Sequence, residues 1–187
     1  MEYCEFDMAK TVLRGPHNMF NAACAIHAAL ALGAEPDRIQ EGLETYTPPP
    51  HRLELVAVRD GITWINDSKA TNVDSVYYAL QAMTEPTIWI VGGQDKGNDY
   101  SPLFELVREK VKAIVCMGVD NDKLREVFGG FDKPMAEAGS AEEAVRLATG
   151  FAEAGDTVLL SPACASFDLF KNYEHRGEQF KQAILNR

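Results

Sequence analysis

Three short apolar runs constrain this chain most: Thr87 to Val91, Ala113 to Met117 and Thr157 to Leu160. A strand with one wet face alternates apolar and polar residues. A run apolar at successive positions must be covered on both faces of its pleat. Between these runs the apolar spacing changes to that of helices. Leu103, Leu106 and Val107 follow Ser101-Pro102, Leu124 and Val127 make a shorter set, and Ala144, Leu147 and Phe151 follow a Ser140/Glu143 capping box. A weaker strand falls near Met135, and a last helix is expected from about 168 to 185. Strands alternating with helices in this way predict a Rossmann-like α/β fold, a mostly parallel sheet with helices on both faces. One antiparallel strand is added ahead of it. Leu53, Leu55 and Ala57 alternate, Asp60-Gly61 reads as a hairpin-type turn, and Ile62 and Trp64 return.

The first part of the chain is different. A short strand is expected over Thr11 to Leu13, followed by an alanine-rich helix carrying Met19, Ala22, Ala23, Ile26, Ala29 and Leu30 and ending at Gly33. His17, Asn18 and Asn21 crowd its first turn, where Asn18 suits the N-cap. Asn21, a poor helix-interior residue, calls for another explanation. Pro36 opens a second short helix. Thr47-Pro48-Pro49-Pro50 then permits only a stiff, extended segment, so a helical remnant over 1–47 is expected to precede the α/β domain over 48–187.

The 187 residues carry 28 acids against 18 lysines and arginines, a net charge of −10. No basic stripe could neutralise a phosphate backbone, which argues against a nucleic-acid partner. No stretch is apolar enough to span a bilayer, and Glu2, Glu5 and Asp7 exclude the basic start of a signal peptide. Cys4, Cys24, Cys116 and Cys164 show no metal-ligand spacing. Three of them sit among apolar residues and read as free core thiols, as in a reducing cytoplasm. The four histidines form no metal set, and no metal site is expected.

Chemistry concentrates where apolar runs end. Trp64-Ile65 runs into Asn66-Asp67-Ser68-Lys69-Ala70-Thr71-Asn72, after which Val73, Val76, Tyr77 and Leu80 mark a helix capped by Thr71 or Asn72. The other two loops are Gly92 to Gly97 and Ser161 to Phe167. In a parallel sheet the carboxyl ends of the strands share one edge, so these loops should line one crevice. It would hold Asp67, Lys69, Thr71, Lys96 and Ser166, with Arg52 close by. A cationic pocket on an acidic protein suits a carboxylate or phosphate. Neither G-x-x-x-x-G-K-S/T nor G-x-G-x-x-G occurs, so Gly92-Gly93 is no phosphate loop, and alone such a pair more often marks a tight turn. The charged stretch Lys171 to Gly177 reads as a solvated helix face, with a neighbour passing close to Gly177, since glycine weakens a helix interior.

Taken together, His17-Asn18 with Asn21, His51-Arg52-Leu53-Glu54, Asn66 to Asn72, Gly92-Gly93 with Lys96, and Leu160 to Asp168 resemble the Mur ligases of peptidoglycan synthesis. The Asp67 loop and the Ser-Pro-Ala-Cys-Ala-Ser-Phe-Asp stretch, with Tyr173-Glu174 and Arg176-Gly177 following, resemble the D-glutamate-adding member most. The resemblance covers only the end of that family's central ATPase domain and all of its C-terminal Rossmann-like domain. It implies a portion of a longer cytoplasmic enzyme, inactive alone, that uses ATP and magnesium to join D-glutamate to UDP-N-acetylmuramoyl-L-alanine. The missing N-terminal and central domains are its implied partners, and the magnesium ligands lie outside this chain. Lys96 and Thr71 would hold the side-chain carboxylate of D-glutamate, and Ser166, Phe167 and Tyr173 would position the rest. Lys69, with Lys96, would act on the reacting groups, and Asn18, Asn21, Arg52 and Asp67 would surround ATP. A non-catalytic Rossmann-like domain, or a related ligase adding another amino acid, is the alternative.

Overall fold

A computed structural model describes residues 4–13 and 15–187, the His17 side chain excepted. The chain divides into two compact units between Pro49 and Pro50. The first contains a 3-10 turn, Met8–Lys10, and two helices, α1 (Pro16–Ala31) and α2 (Pro36–Thr45). Thr11 to Leu13 is not a strand. The Thr11 amide closes the turn onto the Met8 carbonyl at 3.1 Å, and its hydroxyl accepts the Leu13 amide at 3.2 Å, so local bonds replace ladder bonds. Asn18 is not the cap of α1 either. Pro16 occupies the first turn behind Gly15, whose φ of 81° suits glycine, and the helix has already started before Asn18.

The second unit is a six-stranded sheet in the order β1-β2-β6-β3-β4-β5. Its strands are β1 (Glu54–Arg59), β2 (Ile62–Asn66), β3 (Thr87–Val91), β4 (Val111–Met117), β5 (Met135–Ala138) and β6 (Thr157–Leu160). Only β1 runs antiparallel. The helices are α3 (Val73–Ala82), α4 (Phe104–Lys110), α5 (Asp122–Phe128), α6 (Ala141–Phe151) and α7 (Tyr173–Leu185). Alternate residues of the central strands feed separate cores. Trp89, Val91, Ile114, Cys116 and Leu159 pack with α3, α4 and α5. Ile88, Ile90, Val115, Met117, Val158 and Leu160 pack with α6 and α7. This two-sided burial is why the runs carry no polar alternation. Each large side chain so removed from water stabilises the fold by roughly 1.5–3 kcal/mol.

Strand β6 lies between β2 and β3, in parallel with both. The helices after β2 and β3 cover one face and the helix after β6 covers the other. The chain therefore leaves in opposite directions on both sides of the carboxyl end of β6, which opens a crevice there.

Three local expectations change. The alternation of Leu53, Leu55 and Ala57 is broken by a register shift between Leu55 and Ala57. Val56 and Ala57 both turn inward, leaving Leu55 62% and Val58 65% exposed. The last helix starts at Tyr173 rather than 168, because Asn172 caps it by accepting the His175 amide at 2.7 Å. Of the four free cysteines only Cys116 and Cys164 are buried, whereas Cys4 and Cys24 are exposed. Elsewhere the caps form. Asn72, not Thr71, accepts the Ser75 amide, and Ser140 accepts that of Glu143, whose carboxylate reaches the Gly139 amide rather than that of Ser140.

A neighbour does pass close to Gly177. A Cβ there would overlap the buried His51 ring. Gly177→Ala, which in an open helix would stabilise by about 1 kcal/mol, is expected here to destabilise by roughly 1–3 kcal/mol, read as a lower urea midpoint.

Candidate active site

The candidate site is built where β2, β3 and β6 end. Its three loops are held together by backbone and buried side chains, so their rims keep fixed places. The Asp67 amide donates to Leu160 O at 2.8 Å, Ala163 to Ala70 O at 3.0 Å, Gly92 to Pro162 O at 2.9 Å and Gln94 to Ala165 O at 2.8 Å. Gly93 has φ 126° and no room for a side chain, since a Cβ would meet the Ala165 carbonyl. His51, Leu53 and Ala163 all adopt left-handed backbone, at φ 66°, 44° and 59°. Such residues cost roughly 1–3 kcal/mol each and persist only where their surroundings fix them.

Arg176 adds a side-chain clamp across the loops. It sits on α7, fully buried, and among the described residues no carboxylate pairs with it directly. Nε donates to Ser68 Oγ at 3.0 Å and Nη2 to Ser68 O at 2.9 Å. Nη1 donates to Cys164 O at 3.2 Å and, more weakly, to Gly92 O at 3.5 Å. One guanidinium thus touches all three loops. Burial pushes its pKa down to about 10, with Cys164 and Asp168 acting the other way, so it stays charged at neutral pH. The solvated face expected over Lys171 to Gly177 is therefore wrong at this position. A signal was present: Arg176, Phe180 and Ile184 recur at four-residue spacing, and all three are buried.

Asp67 is the second buried ionisable group. Oδ1 accepts the Leu53 amide at 3.1 Å and Oδ2 accepts Ser161 Oγ at 2.8 Å. Burial raises its pKa to about 7, against the lowering effects of Ser161, Leu53 and the Arg52 charge. Each oxygen keeps a second lone pair. Asn66 completes the wall. Its Oδ1 accepts the Ser68 amide, which fixes the amide so that Nδ2 donates to His51 Nδ1 at 2.9 Å and Glu54 Oε2 at 3.0 Å.

The rims carry the unengaged groups. Lys69 Nζ lies over the Tyr173 ring, 3.8 Å from its centroid, which brings two expected site residues together. Lys96, Arg52 and Thr71 are exposed, and among the described residues their side chains make no hydrogen bond or ion pair. Ser166 is buried at the base of its loop, and Phe167 stands 66% exposed at the tip. Asn18 and Asn21 lie on α1, in the first unit. Phosphate, carboxylate and ribose groups are what unpaired cations, hydroxyls and spare carboxylate lone pairs can bind. No three His, Cys, Asp or Glu side chains cluster as metal ligands among the described residues, so the residues present do not fit magnesium.

Two outcomes test this reading. Arg176→Met should lower stability by about 2–5 kcal/mol in urea denaturation, because buried carbonyls lose their donor. Arg176→Lys should recover less than half, since an ammonium cannot present the fork. For Asp67 the sign is opposite to that of an ion-paired carboxylate. Between its ordinary 3.8 and about 7, the folded chain holds a proton that the unfolded chain has lost. Stability from this group falls as pH rises through that window. Asp67→Asn should therefore gain on the parent chain across it, read as urea midpoints at several pH values.

The chain is similar to known proteins over most of its length. The family described as "Mur ligase, glutamate ligase domain" matches residues 51–164. The UDP-N-acetylmuramoylalanine--D-glutamate ligase of Christiangramia forsetii is 49% identical over 178 residues, covering 95% of this chain and 40% of that protein. That of Porphyromonas gingivalis is 51% identical over 174 residues, covering 93% and 39%. This chain thus spans about two fifths of the length of the curated relatives it matches. Among solved structures, the UDP-N-acetylmuramate-alanine ligase of Thermotoga maritima superposes with a TM-score of 0.67 at 16% identity, covering 92% of this chain and 38% of that one. A folylpolyglutamate synthase of Mycobacterium tuberculosis, complexed with ADP and AMPPCP, gives 0.65 at 18%, covering 82% and 39%. These two share the fold. The chain belongs to the Mur ligase family and carries its glutamate ligase domain.

Proposed function

We propose that this chain is the amino-acid-binding portion of a cytoplasmic ligase that joins D-glutamate to UDP-N-acetylmuramoyl-L-alanine at the expense of ATP. Residues 48–187 form the D-glutamate domain and residues 1–47 the end of the ATP-binding domain. The observation that carries the reading is the set of unpaired cations on rims tied together by Arg176, in a chain of net charge −10. Relatives about half identical in sequence bear the D-glutamate ligase name.

ATP supplies the phosphoryl group that activates the terminal carboxylate of the UDP substrate. The residues of this chain serve the other reactant and the charges around it. Lys96 and Thr71 hold the side-chain carboxylate of D-glutamate, while Ser166, Phe167 and Tyr173 fix the rest of the molecule. The amine then forms the new C–N bond as the bond from carbonyl carbon to phosphate oxygen breaks. Lys69, steered by the Tyr173 ring, stabilises the negative charge that develops. Holding the amine in line with the activated carbonyl contributes chiefly orientation, worth roughly 7–11 kcal/mol at the ideal limit. Around the nucleotide, Arg52 is exposed for phosphate and Asp67 keeps lone pairs for ribose hydroxyls, with Asn18 and Asn21 assigned to the surroundings of ATP by resemblance. The magnesium of such a ligase is held outside this chain, and no step here depends on it.

In the full-length ligase carrying this sequence, Lys96→Ala should raise the KM for D-glutamate by at least about tenfold, the worth of a charge-assisted bond. The KM for the UDP substrate should stay unchanged. Unaltered D-glutamate kinetics would show that Lys96 holds no substrate carboxylate.

A further inference from the structure

The turn that carries Lys96 is built around its neighbour, Asp95. Oδ1 of Asp95 accepts the Gly97 amide at 2.6 Å and the Asn98 amide at 3.1 Å, which folds the backbone over Lys96. Oδ2 accepts the Tyr100 hydroxyl at 2.6 Å. Asn98 in turn donates to Ala163 O at 3.1 Å, which fastens the turn to the loop after β6. A second lysine completes the arrangement from another element. Lys123, on α5, places Nζ 3.1 Å from Asp95 Oδ1 and 2.7 Å from the Asn98 carbonyl, with its charge 5.5 Å from the centroid of the Tyr100 ring.

Two lysines therefore face one carboxylate with different outcomes. Asp95 spends its charge on Lys123, Tyr100 and the turn amides, and Lys96, adjacent to it in sequence, pairs with nothing among the described residues. Burial acts to raise the Asp95 pKa, but those donors outweigh it and hold the carboxyl below its ordinary value, so it is ionised throughout the neutral range. An ionised Asp95 without Lys123 would attract the ammonium of Lys96, its neighbour in sequence, and would repel any incoming carboxylate. We propose that Lys123 is a positioning residue: by holding Asp95 and Asn98, it fixes the turn and leaves Lys96 available to an anionic amino acid. The proposal rests on the reading of Lys96 as a ligand of the substrate carboxylate.

The test uses Lys123→Met, which keeps the stem and removes the charge, with Lys123→Arg as the conservative partner. In this chain, hydrogen exchange at the Gly97 and Asn98 amides should quicken in Lys123→Met and return towards the parent rate in Lys123→Arg. In the full-length ligase, Lys123→Met should raise the KM for D-glutamate about five- to tenfold, a discounted value for a half-exposed charge. Its kcat and its KM for ATP and the UDP substrate should stay near those of the parent. An unchanged D-glutamate KM, or a loss spread equally over every substrate together with a lower melting temperature, overturns the proposal. Lys96→Ala tells the two readings apart. If it also leaves D-glutamate kinetics unchanged, the assignment of Lys96 is at fault. If it raises the KM and Lys123→Met does not, only the role of Lys123 falls.

Discussion

The buried guanidinium of Arg176 is the contact on which the rest of the site depends. Three loops arrive from three strands and meet through a few backbone bonds, one of them an isolated bridge between Gln94 and Ala165. Arg176 bonds to main-chain or hydroxyl oxygens in each. Burying a charge is costly unless its donors are satisfied, and here they are satisfied mostly by carbonyls that would otherwise be orphans themselves. The same bonds oblige α7 to lie against the sheet edge. That closeness explains why glycine follows Arg176 in the helix and why the His51 ring fills the space a side chain would take.

The electrostatics of the two layers are opposite. The inner layer contains groups consumed in structure: Arg176 by carbonyls, Asp67 by Leu53 and Ser161, Asp95 by a turn and a lysine. The outer layer contains the ammonium of Lys96 and the guanidinium of Arg52, which make no hydrogen bond or ion pair among the described residues. An acidic protein carrying bare cations at a crevice presents its favourable potential only there, and a rigid inner layer prevents its own acids from folding over to meet them.

How much of this was legible in the sequence follows from range. The sheet, its parallel strands and the hairpin could be read, because apolar runs and turn residues act locally. The caps at Asn72 and Ser140 were legible for the same reason. The site residues on the loop rims were also visible, being polar side chains at strand ends. Of the inner layer only Asp67 was. Arg176 reads as a surface residue unless it is placed on the stripe with Phe180 and Ile184, and its partner Ser68 lies 108 residues away. The bulge in β1 and the early start of α1 escaped because each turns on a single backbone conformation rather than on a pattern.

The place of β6 has a consequence for how the molecule is made. The strand that fills the middle of the sheet emerges from the ribosome after every other strand, so β2 and β3 have no common partner until then. Asp67 waits 94 residues for Ser161. Contacts of such sequence separation form slowly, and the unpaired edges of β2 and β3 must be kept from other chains meanwhile. The crevice and the closed sheet consequently come into being in one late step, and a nascent chain that has not reached β6 has neither.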